Sequence, residues 1–302
     1  MTWLLFALLN PILHAGTNHF DKHLISKYFK DLKVGALVIF SGLISVIMLP
    51  IVLFFAHGTF NISFGNGIIL ALNGTLIILA VMFYLSALNL DEASFVVPFF
   101  QFIPVLGLIL SFIFLGETIQ FQKIIGAFII LAGGAILSLD LTNRKIKFKK
   151  KVVFFMLLSS LCYAVNIIIF KSIAIGNGFW QSLFWDLIGK IIFSVCLFTF
   201  IAAYRKSFLS VLQTYKIKFV LLAGLNEIMM LVGDWSLSFA SLLAPVFLVQ
   251  TVSATQPIFV FIFGIALTKF FPKLGTEILD KKLLAQKLTG IIVVIAGALL
   301  FL

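Results

Sequence analysis

The sequence predicts an all-α polytopic membrane protein of ten transmembrane helices, arranged as two inverted five-helix repeats. Three observations carry that expectation. Of 302 residues, 62% are hydrophobic and 11% charged, with a mean hydropathy of +1.19, which leaves too little polar surface to cover a water-soluble globule of this size. The apolar residues gather into runs close to the roughly 20 that a bilayer core demands of a spanning helix. The two halves then repeat the same landmarks in the same order.

Taken in chain order, the first span covers 3–20 and is interrupted by Asn10, Pro11 and His14. Its opening, "MTWLLFALLNPILHAG", lacks a basic leader and a small-residue cleavage site, so it reads as a retained helix rather than a signal peptide. Spans at 34–56, 66–89, 93–115 and 119–139 complete the first half. Around the third and fourth, Asn66–Leu90 and Ala93–Gly116 contain no charged side chain. The second half has spans at 152–174, 180–203, 217–240, 243–267 and 284–302, the seventh carrying Asp186 and Lys190. Each is expected to be helical because an open strand would leave its backbone groups unpaired in lipid. Cys162 and Cys196 both lie inside apolar runs, which reads as packing rather than a disulfide framework.

Orientation follows from where the basic residues fall. Lys22, Lys27, Lys30 and Lys33 follow the first span, and "NRKIKFKKK" (Asn143–Lys151) separates the fifth from the sixth. Arg205, Lys206, Lys216 and Lys218 lie between the seventh and eighth; Lys269, Lys273, Lys281, Lys282 and Lys287 lie between the ninth and tenth. The connections after the second, sixth and eighth spans carry no Lys or Arg. All basic connections therefore share one side, expected to be the cytoplasm, with both termini outside. The net charge of +11 is then accounted for by orientation and by anionic lipid heads. A nucleic-acid partner would need a basic face with interleaved aromatics, which the sequence lacks.

The basic segment divides the chain into 1–142, a connector at 143–151, and 152–302. "YLSALNLDEASFVVPFFQFIPVLGLILSFIF" (84–114) lies without gaps over "LSFASLLAPVFLVQTVSATQPIFVFIFGIAL" (237–267), matching Ala87 with Ala240, Leu90 with Leu243 and Pro104 with Pro257. "GAFIILAGGAILSL" (126–139) matches "GIIVVIAGALLFL" (290–302), and Ala15 pairs with Ala164. Five spans per repeat is an odd number, so the second copy must insert upside down relative to the first.

The stretch "LLNPILHAGTNHFDKHLI", the spaced alanines and leucines before a proline-containing helix, and "FLGETIQFQKIIGAFIILAGG" (114–134) resemble the EamA-type family of the drug/metabolite transporter superfamily. "TKFFPKLGTEILDKK" (268–282) departs from the compact Gly-Glu turn of that pattern. The resemblance implies a carrier of a small metabolite, such as an amino acid or a related compound, commonly an exporter, in the inner membrane of a bacterium, with a central cavity between the repeats. Two classes stay open: a secondary transporter working by alternating access, with a lipid-head flippase as its variant, and a membrane-embedded enzyme. Against the enzyme stands the lack of metal-ligand spacing, a phosphate-cradling loop or a nucleophile beside a base. No cofactor is expected, and the chain is expected to work as a monomer or homodimer in the bilayer.

The interrupted fourth and ninth spans are the first place to look for a solute site. A proline removes a donor and leaves carbonyls unpaired, which lipid tolerates only beside protein or water. Pro98, Gln101 and Pro104 have counterparts in kind in Pro245, Gln250, Gln256 and Pro257. Glu227, beside Asn226 near the middle of the eighth span, is the candidate for proton coupling or for a substrate amine; an ion pair with Lys171 or Lys190 is the alternative. His14 and Tyr163 precede the paired alanines and are candidates to face each other across the pseudo-axis. Asn73 and Asn166 fit either a cavity wall or hydrogen bonding between helices. Asp186 and Lys190, four residues apart, are expected to pair on one helix face. Glu117 is expected to serve the start of the fifth span. Gly126, Gly133, Gly134, Gly290 and Gly297 suggest close helix packing away from the cavity.

Overall fold

The computed structural model describes residues 2–28, 35–56, 62–90, 96–138, 150–270 and 281–300. The described residues are helical, with no strand among them. The first half holds α1 (Thr2–Tyr28), α2 (Gly35–Phe55), α3 (Phe64–Leu88), a 3-10 turn at Val97–Gln101, α4 (Phe102–Leu115) and α5 (Phe121–Ser138). The second holds α6 (Lys150–Asn177), α7 (Phe179–Phe200), α8 (Ala202–Leu243), α9 (Val246–Ser253), α10 (Gln256–Phe270) and α11 (Lys281–Leu299). Among the described residues, five stretches are long and apolar enough to cross a membrane: α2, α3, α6, α7 and the combined Val246–Phe270. Shorter apolar helices cover Phe99–Leu115, Phe121–Gly134 and Ala285–Leu299. The start of the expected fourth span, the connector up to residue 149, and the connection at 271–280 lie outside the described residues.

Local chemistry sets the boundaries. Ser63 caps α3, its hydroxyl accepting from the Asn66 amide at 3.3 Å. Gly116 ends α4 in the left-handed region, φ 63°, where a residue without a β-carbon is favoured. At the end of α8, Ala244 is extended, the conformation favoured before a proline, and Pro245 opens α9. Ala254 and Thr255 then separate α9 from α10, whose first turn contains Pro257.

Two elements differ from expectation. The segment between the seventh and eighth spans is the start of α8 rather than a loop. Phe208, Val211 and Phe219 are buried there at helical spacing while Lys206 and Lys218 are exposed, so the segment is amphipathic. At 42 residues, α8 would reach roughly 63 Å, about twice a bilayer core, so part of it extends past the hydrocarbon. Helix α1 likewise continues to Tyr28, beyond the expected 3–20.

The most extensive helix contacts join the halves: α1 with α8, α3 with α6 and α7, α2 with α7, and α5 with α11. Close approach is made by small residues, as membrane helices require. Gly74 and Gly189 bring the backbones of α3 and α7 together, with Gly74 against the Asp186 carbonyl and Gly189 against that of Ala71. In α5 and α11, a β-carbon on Gly133 would lie 2.7 Å from the Val294 side chain, and one on Gly297 would lie 2.7 Å from the Gly126 carbonyl oxygen. Gly133 and Gly297 thus pack within one chain, but Gly134 does not stand apart from the cavity: it seats the Gln101 amide. The main apolar core runs through Leu24, Leu70, Leu85, Met156, Phe170 and Phe219, and large apolar side chains such as Phe64, Phe114 and Phe200 lie on the outer surface.

Candidate functional site

A cavity opens where the two interrupted stretches meet α1, α6 and α8. Its volume of about 90 Å³ is several times the roughly 10–15 Å³ that one water needs on the same measure. From the first half come Asn10 and His14 of α1, with Phe100, Gln101 and Pro104 at the 3-10 turn and the start of α4. From the second come Tyr163 and Asn166 of α6, Asp234 and Ser238 of α8, and Gln250, Ser253, Gln256 and Pro257 around the α9–α10 break.

Helix α1 runs antiparallel to α8, and their shared face orders the polar groups. His14 Nε2 lies 3.0 Å from Asp234 Oδ1, within ion-pair distance but out of line for a hydrogen bond. One turn and more along, Gly16 meets Met229, and then Asn226 Nδ2 donates to Asp21 Oδ1 at 2.8 Å. Glu227, next to Asn226, accepts from Ser41 Oγ at 2.6 Å. Tyr84 donates to Asn18 Oδ1 at 3.3 Å, and its ring stands 5.3 Å from that of Phe100, which in turn meets Tyr163 edge-on at 5.9 Å.

The break in the second half has its freed carbonyl answered by the first half. Gln101 Nε2 donates to the Ala254 oxygen at 3.2 Å, which leaves Gln101 Oε1 buried with no partner. Gln250, only 2% exposed, lies against Gly107 of α4, where any larger residue would collide with its carboxamide, and its Oε1 is also unpartnered. So is the Ser253 hydroxyl. Buried polar atoms without a hydrogen-bond partner are uncommon and costly in a folded protein, and here four of them, with His14 Nε2, lie on residues lining one cavity.

Of the expected site residues, His14, Gln101, Tyr163, Asn166, Gln250 and Gln256 line the cavity, together with Pro104 and Pro257. Asn73, Asn226 and Glu227 do not. Asn73 stands behind Asn166, whose Nδ2 donates to the Asn73 carbonyl at 3.2 Å, while the Asn73 amide donates to Asp186 at 3.1 Å. Asn226 and Glu227 lie two helical turns from Asp234, held by Asp21 and Ser41. Pro98 and Pro245 act through the backbone, at the first turn of the 3-10 segment and before α9.

Neither lysine considered as a partner for Glu227 pairs with it. Lys190 Nζ lies 3.3 Å from Asp186 Oδ2 along one face of α7. Lys171 Nζ donates to Glu117 Oε1 and to the Ala244 carbonyl, the latter at 2.8 Å. Glu117 therefore does not serve its own following helix: its other oxygen accepts from the Val246 amide at 2.8 Å, at the start of α9. Asp234 was missed from the sequence. An acid seven residues after Glu227 shares its helix face, and the cost of a carboxylate at membrane depth singles it out as clearly.

Residues 1–139 match the model of the EamA-like transporter family, part of the drug/metabolite transporter superfamily. One solved protein crystal structure superposes on 97% of this chain and 95% of its own length, with a TM-score of 0.63 at 14% identity. At that identity the likeness shows the fold alone. No curated protein matches the sequence.

Proposed function

Because its first 139 residues match the model of the EamA-like transporter family, and the chain is an integral multi-pass membrane protein, we propose that it is a secondary transporter that carries a small polar solute through the central cavity by alternating access. The observation that carries this reading is the cavity itself, set where the interrupted stretches of both halves meet and lined by residues that include the unpartnered Gln101 and Gln250 oxygens and the Ser253 hydroxyl. Interrupted helices in matching positions are where transporters built from inverted repeats bind their cargo. Packing partners support the repeat as well. Exchanging the halves turns the α1–α8 contact into α6–α3, and α3–α7 into α8–α2, while α2–α7 and α5–α11 map onto themselves, and all these pairs are in contact. Ten spans, five to a repeat, follow if α4 with its 3-10 turn and α9 with α10 each count as one. The basic ends then face the cytoplasm, in the plasma membrane of a bacterium.

Single cysteines at Gln101 and Gln250, in a chain with Cys162 and Cys196 replaced, test the reading. They are expected to react with a small water-soluble thiol reagent, more slowly than a cysteine at exposed Ser63, while one at lipid-facing Phe114 stays unreactive. Two inert glutamine positions beside a labelled Ser63 control would remove the solute pathway.

A further inference from the structure

The polar atoms of the cavity are not balanced between donors and acceptors, and we propose that the cavity is built for a small organic cation, a protonated amine on an aromatic or aliphatic body, with Asp234 as its counter-ion. The inference rests on the transport reading and names its solute class.

Among the described lining residues Asp234 is the carboxylate and no Lys or Arg is present. Its side chain is 16% exposed, so it reaches the cavity rather than lying behind the wall. The buried lysines of α6 and α7 are committed elsewhere, Lys171 to Glu117 and the Ala244 carbonyl, and Lys190 to Asp186. An anionic solute would sit in a low-dielectric space beside a carboxylate with no cation to offset it.

The neutral groups point the same way. Gln101 gives its amide N–H to the Ala254 carbonyl, and Asn166 gives its own to the carbonyl of Asn73. Each has one of its two amide N–H donors engaged on a backbone oxygen, while the Gln101 and Gln250 carboxamide oxygens are acceptors without a partner. An alkylammonium supplies up to three donors and no acceptor, which matches this set. The perpendicular Phe100 and Tyr163 rings add the aromatic surface that attracts a cation or stacks on an aromatic body. Ile77, Ile103 and Leu237 supply an apolar remainder. His14 Nε2 lies 3.0 Å from Asp234 Oδ1 on the same wall.

The test compares three probes of similar shape on the purified full chain: phenethylamine, neutral 3-phenylpropanol and anionic 3-phenylpropionate. Binding is followed by melting temperature and by equilibrium dialysis. Phenethylamine is expected to stabilise the protein and to bind at least about tenfold more tightly than the other two, the ratio a charge-assisted contact supplies. Asp234→Asn should remove that tenfold advantage and leave binding of the neutral probe unchanged. Equal binding of all three, preference for the anion, or no binding of the amine overturns the cation assignment. If Asp234→Asn does not fold, the ranking of the probes on the unaltered chain decides alone. The cysteine experiment keeps the two readings apart: reactive Gln101 and Gln250 positions without amine preference leave a transporter of another solute, whereas inert positions remove the pathway itself.

Discussion

Glu227 is buried, with the Ser41 hydroxyl as its hydrogen-bond partner. A carboxyl in such a place has to justify its cost, and with Lys171 and Lys190 engaged elsewhere an ion pair does not do so. The expectation is that it carries the coupling proton from a position about 10 Å along α8 from Asp234, seven residues at the helical rise. Glu227→Gln keeps an acceptor for Ser41, so folding should be retained. Proton-driven accumulation in proteoliposomes should fall to background while solute exchange continues; full accumulation by the variant would end the coupling role. At this scale the sequence was a good guide to which polar residues lie at membrane depth and a poor guide to where they point. Gln101 and Gln250 were readable because prolines flank them, and a break exposes carbonyls that an amide can answer. Glu227 and Asp234 share a face of α8, so which of them reaches the cavity depends on the lengthwise register of α8 against α1, and that register is set by contacts such as Gly16 on Met229 and Gly233 on His14, made between residues more than 200 positions apart.

At the level of elements, the joint between α4 and α9 depends on one carboxylate. Glu117 follows the left-handed Gly116, which turns the chain so that its side chain reaches Lys171 of α6 and the first amide of α9 together. It thus satisfies a buried cation and a helix start that both belong to the other half. Glu117→Ala strands the Lys171 ammonium and should destabilise the protein by about 3–5 kcal/mol, read as a fall in the denaturation midpoint in detergent. Adding Lys171→Met should recover much of the loss, because the unpaired charge goes with it. An unchanged midpoint in the single variant would show the pair to be dispensable. Sequence reasoning assigned Glu117 to the helix that follows it, since a local rule sees only neighbours in the chain. The same limit hid the helical start of α8, where charge was read as loop although Phe208, Val211 and Phe219 already carried a helical period.

For the whole molecule, the distribution of basic residues sets the expected topology. Reporter fusions should place 143–151 in the cytoplasm and Leu302 outside, and cytoplasmic activity of a fusion at Leu302 would reverse the assignment. The apolar runs made the all-helical architecture legible at this scale, because lipid forces every backbone group to be paired within its own segment. The pairing of helices was not read from the sequence, because it depends on contacts between residues far apart in the chain.

The interleaving of those helices bears on how the polypeptide comes together. Each half of the chain finds its main partners in the other, α1 on α8, α3 on α6 and α5 on α11. The two halves are therefore expected to fold as one cooperative unit, in which covalent continuity matters less than their presence in the same bilayer. Cutting the polypeptide within 143–149 and producing both fragments together should therefore yield a complex that co-purifies and melts close to the uncut protein, while either fragment alone should be degraded.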